Sequence, residues 1–398
     1  VTIDQPTVRR GTNLPRMGDF NESVVLDAIR RAPDGLSRVE LAAATGLSAQ
    51  TVSNICRRLL DRGLVVEAGK KGGRVGKPRT VLQVSPGGSF AIGVHLDPAV
   101  VTYVVLDLVG AVVRRMRQPT PQVVDQAQTL ADMSAAVEQL VEDSGIPRDR
   151  ILGLGVAVPG PIDAVAGAVV EPPQLAGWER VPLRDQLSRV TGWPVVMDKD
   201  VIAAAIAERW AGAAVHSGNF LFFYLGTGSG MGVVVNDVVL RGVSGNAGEI
   251  GGLDANCTTY ALVNEAIERR VLGPEKTPAG PGEAERSLLA LMALAEAGDS
   301  TAQNIIHGWA RRVGLGVSAA ATLVDSELIV FGGPIWPHLS RLFLPVINSI
   351  VASSPFVGKM HETTVTGTAL GDDVGALGAA CLVLDQVLSA RPQSLLLA

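Results

Sequence analysis

Cysteine is nearly absent from this chain. Only Cys56, Cys257 and Cys381 occur, and three widely spaced thiols can build neither a disulfide framework nor a four-cysteine metal site within one chain. Buried thiols in a reducing compartment are expected. Aromatic residues are also scarce, at 4%. Apolar runs are interrupted by Gly, Pro or charge before they reach the roughly 18 residues that a bilayer demands. The first segment, with Asp4, Arg9, Arg10 and Arg16, has no apolar signal-peptide core. No membrane association and a cytoplasmic location are therefore expected. His216, His307, His338 and His361 are scattered and read as satisfied structural or surface residues.

What is present is Ala, Val, Gly and Leu over 398 residues, a composition that suits an α/β architecture of two or three domains. The net charge of -5 hides an asymmetry. Residues 1–90 carry about 14 Lys and Arg against about 8 Asp and Glu, whereas the remainder carries about 20 against about 31. A basic end suits a polyanion, although a solvated basic face gives the same count.

The pattern along that end is more informative. Residues 1–17 lack periodicity and read as a tail. Residues 21–31 read as a helix with Val24, Val25, Ala28 and Ile29 on one face. Ser37-Arg38-Val39-Glu40 is a capping box for a short helix ending near Thr45. Gly46-Leu47 turns the chain, and Ser48 caps a second helix to about Arg62, with Val52, Ile55, Leu59 and Leu60 facing inward. Residues 64–68 and 80–84 read as strands around a basic, glycine-rich wing. The winged helix-turn-helix is placed at residues 18–85.

A helix that enters the major groove must carry polar side chains on its first turns, because base edges there offer a distinctive pattern of donors and acceptors. Gln50, Thr51, Ser53 and Asn54 meet that need, Arg57 suits phosphate or guanine, and the helix start at Ser48 suits a backbone phosphate. In the wing, Arg74 and Arg79 suit a narrow minor groove, while Lys70, Lys71 and Lys77 suit phosphates. Double-stranded operator DNA is the expected partner. An ordinary polar surface helix and a solvated loop are the alternatives.

From residue 90 the period changes. Strands are expected at 90–95, 102–107, 151–158, 195–197 and 328–331, and a hairpin at 220–225 and 231–236. Helices are expected at 123–144 and 201–211. The prolines at 274, 278 and 281 are expected to keep residues 273–282 irregular.

Five segments together give a specific resemblance. They are the winged head; Val156-Ala157-Val158-Pro159-Gly160-Pro161-Ile162-Asp163 with Gly177-Trp178; Gly226-Thr227-Gly228-Ser229-Gly230-Met231-Gly232; Gly245-Asn246-Ala247-Gly248-Glu249-Ile250-Gly251; and Phe331-Gly332-Gly333-Pro334. The chain resembles the ROK family of repressors and sugar kinases. The resemblance implies an α/β, actin-like ATPase fold at 90–398 with a small lobe at about 90–200 and a large lobe at about 201–398. It also implies a homodimer or homotetramer.

Several positions depart from the family pattern. The stretch that matches the kinases' Asp-x-Gly-x-Thr phosphate motif is His95-Leu96-Asp97-Pro98-Ala99, so neither ATP nor any other cofactor is expected. The Asn-Asp-x-Asn stretch around the catalytic base reads Lys199-Asp200-Val201-Ile202. It leaves a vestigial Asp200, whose basicity Lys199 would lower by pairing with it or with Asp198. The zinc-binding His is Gly252, and only Cys257 follows, so no metal is expected.

The ligand-binding residues implied by the resemblance are Gly160, Gln174, Lys199, Asp200, Gly226, Thr227, Gly228 and Glu249, with a sugar or sugar phosphate as effector. The Gly226–Gly232 loop could wrap an anion or serve as a tight hairpin. Trp178 and Trp193 could stack on a ligand or pack in the core. The leading reading is a DNA-binding regulator, a repressor of carbohydrate-related genes, that does not act as an enzyme. The alternatives are an ATP-dependent sugar kinase with a fused head and a ligand-independent architectural protein.

Overall fold

The computed structural model describes residues 14–71, 78–121, 125–172, 175, 177–178, 180–226, 228–250, 258–355 and 361–390. Residues 1–13 of the expected tail, and Arg74, Lys77, Gln174, Thr227, Gly252 and Cys257, lie outside them. The chain divides into two compact units. The first takes in the chain up to Ser89, the turn Asp107–Ala111 and the chain from Leu384 onward; the second takes in Phe90–Leu106 and Val112–Val383.

In the first unit, α1 (Leu14–Arg30) starts earlier than the expected residue 21 and takes in the last residues assigned to the tail. Pro15 is tolerated there because a first-turn N–H has no intrahelical acceptor to lose. After β1 (Leu36–Ser37), α2 (Arg38–Thr45) is held by the full capping box, with Ser37 Oγ accepting the Glu40 N–H and the Glu40 side chain accepting the Ser37 N–H. Gly46 ends it in the left-handed conformation. Ser48 caps α3 (Ala49–Asp61). The strands β2 (Val65–Lys71) and β3 (Arg79–Val84) join β1 in a three-stranded sheet of order β1-β3-β2. The core of this unit is Val25, Ile29, Leu41, Val52, Ile55, Leu59 and Leu82, all essentially sealed from solvent.

The second unit holds two five-stranded sheets built to one plan. The first contains β4 (Phe90–Leu96), β5 (Val100–Asp107), β6 (Val112–Pro119), β7 (Ile151–Val158) and β10 (Val195–Lys199), in the order β10-β7-β4-β5-β6. β7 runs parallel to both β4 and β10, and β6 runs antiparallel to β5. The second contains β11 (Phe220–Leu225), β12 (Ser229–Val235), β13 (Val238–Val239), β14 (Leu328–Gly332) and β15 (Thr364–Gly367), in the order β13-β12-β11-β14-β15. In each sheet the first strand in sequence is central, a hairpin extends one side and crossover strands extend the other. β8 (Ile162–Asp163) and β9 (Ala168–Val169) form a separate small ribbon.

Helices α4 (Gln126–Ser144), α5 (Leu183–Thr191) and α6 (Asp200–Ala211) punctuate the first half. Helices α7 (Thr259–Glu268), α8 (Pro281–Glu296), α9 (Ser300–Val324), α10 (Trp336–Ala352) and α11 (Val374–Leu388) complete the chain. The expected irregular stretch ends at Pro281, which begins α8 and does not break it, since φ of proline is already helical.

Helix α11 packs on the first sheet. A Cβ on Gly155 of β7 would lie 1.7 Å from the Ala379 carbonyl oxygen. Only glycine permits that approach. Among the described residues, no helix is long and apolar enough to cross a membrane.

Candidate nucleic-acid interface and ligand cleft

Helix α3 sorts its residues by face. Val52, Ile55, Cys56 and Leu59 are buried, whereas Ser48, Gln50, Asn54 and Arg57 are exposed, and Thr51 and Ser53 are half-buried. Ser48 Oγ accepts the Thr51 N–H at 3.2 Å, and the Gln50 Nε2 donates to Asn54 Oδ1 at 3.3 Å. Both amides thus sit one turn apart on the outer face. Arg58 and Arg62 both reach back to Glu22 of α1. No ion pair among the described residues involves Arg57. The two wing strands pair with Lys70 opposite Thr80 and Lys71 opposite Arg79. Lys70 and Arg79 are exposed; the Lys71 side chain, like Arg74 and Lys77, lies outside the described residues.

A second arrangement lies in the other unit. Gly160, Lys199, Asp200, Gly228 and Glu249 line one cavity of about 250 Å³ together with Asp97 and Tyr224. They come from loops and strand ends far apart in sequence. Lys199 closes β10, Asp200 opens α6, Gly160 follows β7, and Gly228 precedes β12.

Lys199 departs from expectation. Its ammonium pairs neither with Asp200 nor with Asp198. It forms an ion pair with Glu249 and donates to the carbonyls of Asn246 at 3.4 Å and Ala247 at 3.3 Å. Asp198 instead accepts from Arg241 at 2.8 Å. The Lys199 side chain is 2% exposed, and that of Glu249 59%. A Cβ on Gly160 would lie 2.8 Å from both Glu249 Oε1 and Lys199 Cε, so a larger residue there would push the ends of these two side chains aside.

Asp200 differs in the direction of its acidity. Desolvation pushes its carboxyl up to about 7, with smaller pushes from Asp97 and Glu249, and only part of this is offset by the Val201 N–H and Lys199. The lowered basicity expected from pairing with Lys199 is thus overturned, because the lysine spends its charge on Glu249. The Tyr224 hydroxyl is also held well above its ordinary value, first by burial and then by the surrounding carboxylates.

The glycine loop is bound up in itself. The Gly226 N–H donates to Gly228 O at 2.9 Å, Gly226 O accepts from Thr259 Oγ1 at 2.8 Å, and the Met231 N–H donates to Gly248 O at 2.9 Å. Gly226 is not on the cavity wall. Neither tryptophan is free to stack. Trp178 is fully buried, and Trp193, nearly so, carries the Arg148 guanidinium 3.8 Å above its ring.

Sequence reasoning missed Tyr224 and Asn246. A polar-tipped aromatic at the end of an otherwise apolar strand, just ahead of a glycine loop, is the signal for the first. An amide set between Gly245 and Gly248 is the signal for the second.

Residues 91–386 match the sequence profile of the ROK family, and residues 13–74 that of the MarR family. The xylose repressor of Caldicellulosiruptor bescii is 25% identical over 372 residues, covering 89% of this chain and 93% of its own. The glucokinase of Halalkalibacterium halodurans is 27% identical over 317 residues, covering 74% of this chain and 95% of its own. Among solved structures, a ROK family transcriptional regulator described as a homologue of the Escherichia coli MLC protein superposes with a TM-score of 0.75. It is 21% identical, covering 94% of this chain and 98% of its own. At that identity the likeness carries the fold alone.

Proposed function

This chain belongs to the ROK family, and we propose that it is a sequence-specific regulator of double-stranded DNA that represses carbohydrate-related genes. In this reading α3 and the wing read the operator, and the kinase-like body serves self-association and effector sensing without catalysis. The observation that carries it is the outward polar face of α3, set in a region that matches the MarR family profile. The repressor likeness supports it further, since 89% of the chain is more than the body alone supplies and must include much of the head.

The residues proposed to touch DNA are Ser48, Gln50, Thr51, Ser53, Asn54 and Arg57 on the helix, and Lys70, Lys71, Arg74, Lys77 and Arg79 on the wing. The effector is proposed to lie against Gly160, Lys199, Asp200, Gly228 and Glu249, with Gln174 and Thr227 nearby in the family pattern. The test is selection of binding sites from a random DNA library, followed by a salt titration on the selected site. The reading requires a site preference and an affinity that falls steeply with salt. Equal, weak binding to every sequence would falsify it.

One observation favours a sugar kinase as a second reading. A carboxyl held near pH 7 beside a cavity has the basicity that a general base needs. Against it stands the wall of the adjoining cavity of about 210 Å³, where Asp97 and Glu285 would repel nucleotide phosphates while Arg117 is paired with Asp372 and Asp373. Hexose-dependent ATP turnover that is lost in Asp200→Asn would establish the kinase.

A further inference from the structure

The chemistry of the cleft selects the charge of its ligand, an inference that rests on the proposed reading of this cleft as the effector site. A lysine ammonium has three N–H donors. Lys199 meets three acceptors, namely Glu249 Oε1 and the carbonyls of Asn246 and Ala247. Its charge is therefore used within the protein. An anion seeking Lys199 would have to displace Glu249 first.

The other ionisable carboxyls on the cavity wall are Asp97 and Asp200, beside the hydroxyl residues Ser229 and Thr258. Asp97 gives one oxygen to the Ala99 N–H at 2.8 Å, and Asp200 gives one to the Val201 N–H at 2.7 Å, so each carboxylate keeps acceptor capacity. Tyr224 Oη is buried and finds no hydrogen-bond partner among the described residues. A buried polar atom left in this way costs free energy until a ligand or water satisfies it.

The adjoining cavity shares Asp97 and adds Glu285, Asp372 and Asp373. Arg117 on its wall is paired with Asp372 at 2.8 Å and with Asp373, and Arg115 pairs with Asp373 at 2.9 Å. Those pairs cancel, and the acids left without an ion pair among the described residues are Asp97, Glu285 and, where it is ionised, Asp200, so the potential at the cavity is negative.

We infer that this cleft takes a monosaccharide-sized polyol bearing a protonated amine, held between the carboxylates of Asp97 and Asp200 and the Tyr224 hydroxyl. A phosphorylated or carboxylated sugar is repelled by the same carboxylates. A neutral sugar can donate hydroxyls to them but gains nothing from the field. This narrows the effector class and removes sugar phosphates from it.

The test is titration calorimetry of the full chain with four probes that differ mainly in charge: glucosamine, glucose, N-acetylglucosamine and glucose 6-phosphate. Operator affinity is followed in parallel. Glucosamine is expected to bind at least about tenfold more tightly than glucose and N-acetylglucosamine, and glucose 6-phosphate to bind more weakly than either. Asp97→Asn is expected to erase the advantage of the amine. N-acetylglucosamine removes the same charge from the ligand side, so the comparison stands even if that variant fails to fold.

Equal or tighter binding of glucose 6-phosphate or N-acetylglucosamine overturns the inference, as does no binding of glucosamine. If one of those two probes also shifts operator affinity, the regulatory reading survives alone. If glucosamine binds with the stated preference and operator affinity does not move, the inference stands and effector sensing falls.

Discussion

The side-chain amide of Asn246 clasps the backbone of Ile162 from both sides, its Oδ1 accepting the Ile162 N–H at 2.7 Å and its Nδ2 donating to the Ile162 carbonyl at 2.8 Å. The two residues lie 84 positions apart. The clasp ties β8, which follows Gly160, to the loop that supplies Glu249, so it fixes two walls of the cleft at once. Asn246→Ala leaves both backbone groups without their partner and is expected to cost about 1–3 kcal/mol. Asn246→Asp keeps the acceptor but sets a carboxylate against the Ile162 carbonyl, so it should be no better than Ala. Urea denaturation of the three proteins checks the order. A substitution by Asp that is neutral would show that the donated bond contributes little.

The Lys199–Glu249 pair is asymmetric, and so are the expected costs of breaking it. Glu249 is largely exposed and Lys199 is not. Removing the carboxylate by Glu249→Gln leaves a buried ammonium with only carbonyl partners, at a cost of about 1–3 kcal/mol. Removing the ammonium by Lys199→Met leaves a carboxylate that water can reach, and an apolar stem of similar length fills the channel. The lysine variant should therefore be the more stable of the two, as judged by denaturation midpoints. The reverse order would mean that Glu249 is sequestered in solution.

Asp200 gives the fold a pH dependence of defined sign. Its carboxyl titrates near pH 7 in the folded chain, against an ordinary 3.8. Between those values the folded state holds a proton that the unfolded state has released, so the contribution of this group to stability falls as pH rises through the window and levels off above it. The charged groups acting on it are Lys199, Asp97 and Glu249. Asp200→Asn removes the dependence, and its stability relative to the parent should improve from pH 5 to about pH 7 and level off by pH 8. A constant offset across that range would show that Asp200 titrates as an ordinary carboxyl.

What could be read from the sequence follows from which interactions are local. The capping box at Ser37 and Glu40 spans one helical turn, and β7 is an uninterrupted apolar run between turns, so both were legible with their bounds. Strand β6 was not, because it lies at the sheet edge with most of its residues exposed and three arginines among them, leaving no apolar alternation to detect. Helix α5 was hidden in the same way by its charged surface. The cleft was legible as a set of residues, through family likeness, but not as an electrostatic arrangement. Glu249 meets Lys199 across 50 positions, and nothing local to Lys199 chooses that partner over the two aspartates beside it.

The return of α11 to the first sheet gives a steric prediction. At Gly155 the Ala379 carbonyl oxygen stands 1.7 Å from where a Cβ would be, and the nearest atoms are all backbone of Ala379, so no flexible side chain is there to yield. Gly155→Ala should cost about 3 kcal/mol or more, as overpacking against rigid neighbours does. A cost below 1 kcal/mol in denaturant unfolding would mean that the helix can slide away from β7.

On DNA, α3 and the wing should separate into two kinds of residue. Gln50 and Asn54 can each bond adenine bidentately, so Gln50→Ala or Asn54→Ala is expected to cost about 1–3 kcal/mol on the selected site and to relax the preference at one base position, with little effect on unrelated DNA. Arg57 and Lys70 are exposed cations placed for the backbone. Their replacement by Ala should weaken binding to every sequence alike and lower the salt slope by about one. Measuring affinity against selected and scrambled DNA across a salt series separates the two classes. If Gln50→Ala and Asn54→Ala lower both affinities equally, α3 lies along the phosphates and sequence must be read elsewhere.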